Sequence, residues 1–168
     1  MRRTSRGEQI IGFESFYRQE FPRMVALAAS LCGGRDLGAE LAQEALLRAY
    51  RDWPRVSALD RPGTWVRRVT VNLAIDAHRR QVSERTALAR AGGDESVADG
   101  YGVDDRFWAL VRALPERQGV MTALRFVDDL SIEEIAVVLE VSVGTVKSTL
   151  FAARSSLAAS MGAQEVSE

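Results

Sequence analysis

The stretch Ser131–Arg154, SIEEIAVVLEVSVGTVKSTLFAAR, narrows the possible folds more than any other part of the chain. Ser131 followed three residues later by Glu134 is the signature of a capping box, which satisfies the first free backbone donors of a helix. Ile132, Ile135, Ala136 and Leu139 recur at helical spacing and predict a short amphipathic helix. Glu140 and Val141 make a tight turn. Ser142 then caps a second helix with the apolar stripe Val143, Val146, Leu150 and Ala153. Two short helices joined this way describe a helix-turn-helix, whose second helix presents its N-terminal residues to base edges in the major groove. Here these are Ser142, Gly144, Thr145, Lys147 and Ser148. Helical hairpins of this spacing also occur as plain packing units, and periodicity alone leaves both readings open. VGTVKS is not a phosphate loop, because the full G-x-x-x-x-G-K-[ST] pattern and a preceding strand are missing.

At 168 residues the chain has room for one domain or two small ones. No apolar run approaches the length that spans a bilayer and no signal peptide is visible, so no membrane insertion and a cytoplasmic location are expected. The single cysteine, Cys32, excludes an internal disulfide and reads as a small core residue. One lysine against 21 arginines reflects GC-rich coding rather than a binding signal. The net charge of −1 conceals a strong asymmetry: residues 1–80 carry +5, residues 81–105 carry −4 and residues 106–168 carry −2. Three segments with different partners are implied.

Taken in order, Phe13, Phe16, Tyr17, Phe21, Met24, Leu27, Ala28 and Leu31 predict a helix over 13–31, kinked or briefly broken at Pro22 and stopped by Gly33-Gly34. A second helix, 36–52, includes Leu37, Leu41, Ala45 and Tyr50 among its apolar residues. Glu40, Gln43, Glu44 and Arg48 lie along one exposed strip of it. After a loop over 56–63, a third helix, 64–81, sets Trp65, Val69, Leu73 and Ala77 on one face and Arg67, Arg68, Thr70, Asn72, Asp76, Arg79 and Arg80 on the others. Basic, aromatic and amide groups together suit backbone phosphate and exposed bases. His78, the only histidine, has no second histidine or nearby nucleophile and is not read as catalytic. From 81 to 105 the chain gains Gly, Ser and Asp and reads as a linker, helical at most at its start. Further short helices built on Phe107, Trp108, Leu110, Val111 and Leu114, and on Val120, Met121, Leu124 and Val127, complete a small bundle around the helix-turn-helix. The polar tail from Gly162 is expected to fray. The fold class is therefore all-α: two small helical domains, 8–82 and 105–162, joined by a flexible acidic linker, 83–104.

With both halves read, the chain resembles a sigma factor of bacterial RNA polymerase, of the extracytoplasmic-function (ECF) group. LPERQGVMTALRFVDDLSIEEIAVVLEVSVGTVKSTLFAAR is similar to the family's region 4, and LAQEALLRAYRDW with RPGTWVRRVTVNLAIDAHRR is similar to region 2. The resemblance implies a subunit that binds core RNA polymerase, directs it to specific promoters and helps open the −10 element. Glu40, Gln43 and Glu44 match the polymerase-docking motif, although the family commonly has two acids where this chain has Ala39-Glu40. Arg61, Thr64, Trp65, Arg68, Asn72, Asp76, Arg79 and Arg80 match the segment that grips the −10 element. Ser142, Gly144, Thr145, Lys147, Ser148, Phe151 and Arg154 match the −35 reader. Catalytic residues, metals and cofactors are not implied, and an anti-sigma protein is an expected partner. Fewer arginines than usual, at the Thr149, Ala152 and Ser155 positions, predict weak DNA binding by the isolated second domain. Glu140 replaces a common glycine, at a cost of about 1 kcal/mol if its φ is positive.

The linker can be weighed by length. Twenty-five residues of free coil have an r.m.s. span of roughly 25–30 Å, whereas promoter elements two duplex turns apart are separated by roughly 70 Å. The linker must be drawn out in the working complex, and polymerase is the agent. Contact between the basic first domain and the acidic remainder is electrostatically reasonable in the free protein. The alternative function is a stand-alone helix-turn-helix regulator with an N-terminal sensing or dimerisation domain; a helical adaptor that binds no DNA ranks third.

Overall fold

The computed structural model describes residues 6–92 and 103–165, with side chains over 12–92 and 105–162. Among these residues there are eight helices and no strand: α1 (Arg6–Cys32), α2 (Arg35–Arg51), α3 (Trp53–Val56), α4 (Pro62–Arg90), α5 (Val103–Ala113), α6 (Glu116–Phe126), α7 (Ile132–Leu139) and α8 (Val143–Glu165). The fold is all-α, as the sequence predicts. Of the linker expected over 83–104, residues 83–90 are instead the end of α4 and 103–104 the start of α5, while 93–102 lie outside the described residues.

Helices α1, α2 and α4 form the first body around Met24, Leu27, Ala28, Ala42, Ala45, Leu46, Val66 and Ala74, all fully buried. An aromatic cluster closes one end, with the Phe13 ring 4.9 Å from Tyr50 and 5.3 Å from Trp53. The break expected at Pro22 does not occur: α1 runs through it. Pro22 and Arg18 are both exposed, so the carbonyl that loses its backbone donor is left to water. Helix α4 continues to Arg90, well past the expected end at Gln81. Helix α8 likewise carries to Glu165, beyond the fraying expected from Gly162.

Helices α5–α8 form the second body around Val111, Met121, Leu124, Ile135, Val138 and Val146. The capping box is present: Ser131 Oγ accepts from the Glu134 N–H at 3.1 Å, and a Glu134 carboxylate oxygen accepts from the Ser131 N–H at 2.8 Å. That backbone bond holds the Glu134 carboxyl below its ordinary pKa. Glu140 ends α7 at φ 55°, ψ 45°, the left-handed conformation in which glycine would be easier. Ser142 Oγ accepts from the Thr145 N–H at 3.1 Å and so caps α8.

The face of α4 that points inward differs from the one expected. The buried residues are Val66, Arg67, Thr70, Val71, Ala74 and Ala77, while Trp65, Val69 and Leu73 are only partly covered. Arg67 and Thr70, expected among the outward residues, lie inside because each finds a partner there. Thr70 Oγ1 donates to the Val66 carbonyl at 2.9 Å, and the Arg67 guanidinium is neutralised by carboxylates.

Candidate nucleic-acid interface

Turning α4 by about one residue aligns the expected −10 residues. Trp65, Arg68, Asn72, Asp76 and Arg79 follow one another at three- or four-residue steps, on the side opposite Val66, Thr70 and Ala74. Asn72, Asp76, Arg79 and Arg80 are exposed, and Trp65 and Arg68 half-exposed. Arg61 stands exposed at the N-cap of α4, with Thr64 half-buried in its first turn. Arg80 Nε donates to the Asp76 carbonyl at 3.3 Å and is held along the helix. The strip thus joins an aromatic face, an amide and cationic groups on one rigid element.

Glu40, Gln43 and Glu44 project from α2 away from its buried Leu41, Ala42, Ala45 and Leu46. Glu44 accepts from Arg48 Nε at 2.7 Å. The sequence reading missed Leu47, which lies one turn on from Gln43 and Glu44 and is 39% exposed. An uncovered leucine within a polar strip is the pattern of an interface centre with a polar rim; its signal was an apolar residue off the buried stripe.

In the second body, Ser142, Gly144, Lys147 and Ser148 are exposed at the start of α8, with Thr145 half-buried. A Cβ at Gly144 would meet only Ser142 Oγ, at 3.8 Å, so packing does not require glycine there. Phe151 and Arg154 lie toward a different feature, an open groove of about 600 Å³ lined by Phe107, Phe126, Leu150, Phe151 and Leu157. Phe126 is 63% and Phe151 74% exposed.

Two matches identify these bodies. Residues 16–84 match the family model described as Sigma-70 region 2, and residues 104–157 match Sigma-70, region 4. The chain belongs to the sigma-70 family. Its relatives place it in the ECF group. The ECF RNA polymerase sigma factor SigW of Bacillus subtilis is 28% identical over 151 residues, covering 80% of this chain and 81% of that protein. The RNA polymerase sigma-E factor of Streptomyces avermitilis is 27% identical, covering 84% and 80%. In fold, the chain is similar to the sigma factor RpoE of Bartonella quintana, solved with the anti-sigma factor NepR, at a TM-score of 0.69 and 23% identity over 87% of this chain and 94% of that one.

One residue outside the sigma-family strips completes the electrostatics. His78 lines a cavity between the two bodies together with Arg79, Arg112 and Glu116. Burial, aided by the Arg112 and Arg85 guanidinium groups, pushes its pKa below 6.5; the Arg112 backbone and Glu116 oppose the shift. The unfolded chain therefore takes up this proton first, and stability falls as pH drops below about 6.5. Thermal melts between pH 7 and pH 5 should show a decline that is shallower in His78→Gln; an identical slope in both proteins would contradict this. No single described helix is long and apolar enough to cross a membrane.

Proposed function

We propose that this chain gives core RNA polymerase its promoter specificity by dividing recognition between two bodies and using no catalysis of its own. The observation that carries this reading is the coexistence, in one chain, of the α4 strip and a doubly capped helix-turn-helix on separate bodies. The α4 strip holds the −10 element: Arg61, Arg68, Arg79 and Arg80 supply positive charge, Trp65 a stacking face and Asn72 amide donors and acceptors. Asp76 orients its basic neighbours. Capturing an unpaired base offsets an unstacking cost of only a few kcal/mol, so the element opens without ATP. Ser142, Gly144, Thr145, Lys147 and Ser148 read the −35 duplex, and the bare Gly144 backbone allows a close approach.

Glu40, Gln43 and Glu44, with Leu47 at their centre, dock on polymerase. The apolar groove beside Phe151 is a second protein contact, because exposed aromatic groups around a concave surface mark a partner rather than solvent. Phe151 and Arg154 stand where α8 passes from the duplex-reading turn to that groove. An anti-sigma protein, the kind of partner with which the Bartonella neighbour was solved, is the regulator this reading implies.

Run-off transcription tests the proposal. Core polymerase plus the full chain should initiate from a cognate promoter, and neither should do so alone. Binding of a palindromic operator by the chain without polymerase would favour the stand-alone regulator instead.

A further inference from the structure

The cavity that His78 lines has no part in the function proposed above. Its volume is about 400 Å³, and it is walled by Leu31 of α1, Ile75 of α4, Val111 of α5, Val120 of α6 and Leu114 in the turn between the last two helices. Val82 of α4 stands at its open edge, 46% exposed. Close-packed interiors leave few voids larger than a water molecule, whereas mostly apolar clefts of about this volume take small molecules.

The ionisable groups in the wall set the charge of what can enter. They are His78, Arg79, Arg112 and Glu116. Glu116 is already neutralised, since Arg79 gives it two hydrogen bonds of 2.8 Å each. Arg112 is not. Among the described residues it has no carboxylate partner, and its hydrogen bond runs to the Ser30 carbonyl at 3.2 Å. Its guanidinium is held in place against Gly33, where an added Cβ would lie 3.1 Å from Nε and 3.3 Å from Cζ. Burial holds its pKa below the ordinary arginine value, with Arg85 adding to the effect and Cys32 and Asp105 opposing it. An apolar wall thus meets a positioned cation that lacks an anion.

We propose that this cavity binds a single-chain amphipathic anion, a carboxylate on an unbranched alkyl tail, with its head on Arg112 and its tail along Leu31, Ile75, Val111 and Val120. The site rests on the cavity and its charges, not on the sigma reading. A cationic head would be repelled by Arg112, and a neutral one would leave that charge unanswered. Size fixes the tail. A methylene takes about as much room as a water molecule, about 30 Å³, so a cavity of about 400 Å³ holds roughly 13 such groups. A tail of about ten carbons with its head fills it. A two-tailed lipid is too large, so the occupant is a free acid rather than a membrane surface.

Titration of the tag-free full chain with decanoate, below its micellar range, tests the site. Binding is read by calorimetry and by the imidazole NMR signal of His78, the only histidine in the chain. One equivalent should bind saturably with a Kd of about 0.1 mM or tighter and move that signal. Octanoate, two methylenes shorter, should bind about 15-fold more weakly, at about fourfold per buried methylene. Decanol, without the charge, should bind at least about tenfold more weakly. Arg112→Gln should bring decanoate down to the decanol level. Should that variant lose helix by circular dichroism, Val82→Glu decides in its place: the position is exposed, and a carboxylate at the edge should weaken decanoate about tenfold by repulsion. Phosphatidylglycerol vesicles, which offer anionic heads only on two-tailed lipids, should leave the His78 signal unmoved. The site is overturned by no saturable binding up to about 1 mM, or by a His78 signal that stays still while decanoate binds. It is equally overturned by equal affinities for decanol and decanoate, by a folded variant that binds like the wild type, or by a shift with vesicles and none with decanoate.

Discussion

Gly38→Ala is expected to destabilise the protein, although alanine is the better helix former by about 1 kcal/mol. Gly38 sits in the second turn of α2, where that helix crosses α1. A Cβ there would come within 2.7 Å of the Ala29 backbone nitrogen, 2.8 Å of its Cβ and 2.9 Å of its Cα. No side chain can swing away, because the opposing atoms are backbone and a Cβ fixed to it, so the helices must separate. Over-packing of this kind costs about 1–3 kcal/mol and occasionally more, which outweighs the propensity gain. For Gly38→Ala the urea midpoint should fall by about 0.5–1 M at an m-value of about 2 kcal/mol/M, and Gly38→Val should lose more. Gly34→Ala, where nothing lies within 4 Å, is the control and should move the midpoint little. A rise in stability for Gly38→Ala would mean that α1 and α2 do not cross this closely.

That crossing was not legible in the sequence, and the reason generalises to the rest of the molecule. Periodicity gave the longer helices, which have an apolar stripe and mostly a chemical stop, but not α3, whose four residues are too few to show one. It also gave the helix-turn-helix in detail, because the Ser131–Glu134 box and the Ser142 cap are local contacts three residues apart. The strained backbone at Glu140 was legible for the same reason. What periodicity cannot rank is a polar residue whose partner lies far along the chain. Arg67 looked like one more outward arginine of α4, because its neutralising carboxylates, Glu20 and Asp128, are distant in sequence. Reading it as outward turned the α4 face by one position and hid the buried ion pairs with Glu20 and Asp128. Leu47 was missed for the converse reason: a leucine on an amphipathic helix draws no notice until its exposure is known. The charge asymmetry between the two halves made contact between them electrostatically reasonable and went no further, and it named none of the residues that make it.

The −10 strip yields the other large effect, in function rather than stability. The double variant Trp65→Leu/Asn72→Ala should cut run-off from a duplex promoter by about 10- to 100-fold, since stacking of a single base on an aromatic side chain is worth about 1–3 kcal/mol. Leucine keeps the apolar contact that Trp65 makes with the first body and removes the stacking face. Asn72 is exposed, so alanine there leaves the core untouched. Co-elution with core polymerase should be unchanged, because Glu40, Gln43, Glu44 and Leu47 lie on a different helix. The defect should shrink on a template already opened across the −10 element, where melting no longer depends on capturing a base. Undiminished run-off from duplex DNA would remove these two side chains from base capture. Arg68 would be a poorer choice for this experiment. Its guanidinium also holds the end of α7 and Glu140, so its loss would loosen the contact between the two bodies as well as remove a cation, and the two effects could not be separated. The Trp65 and Asn72 side chains make no such bond to the second body, so their loss reports on capture alone.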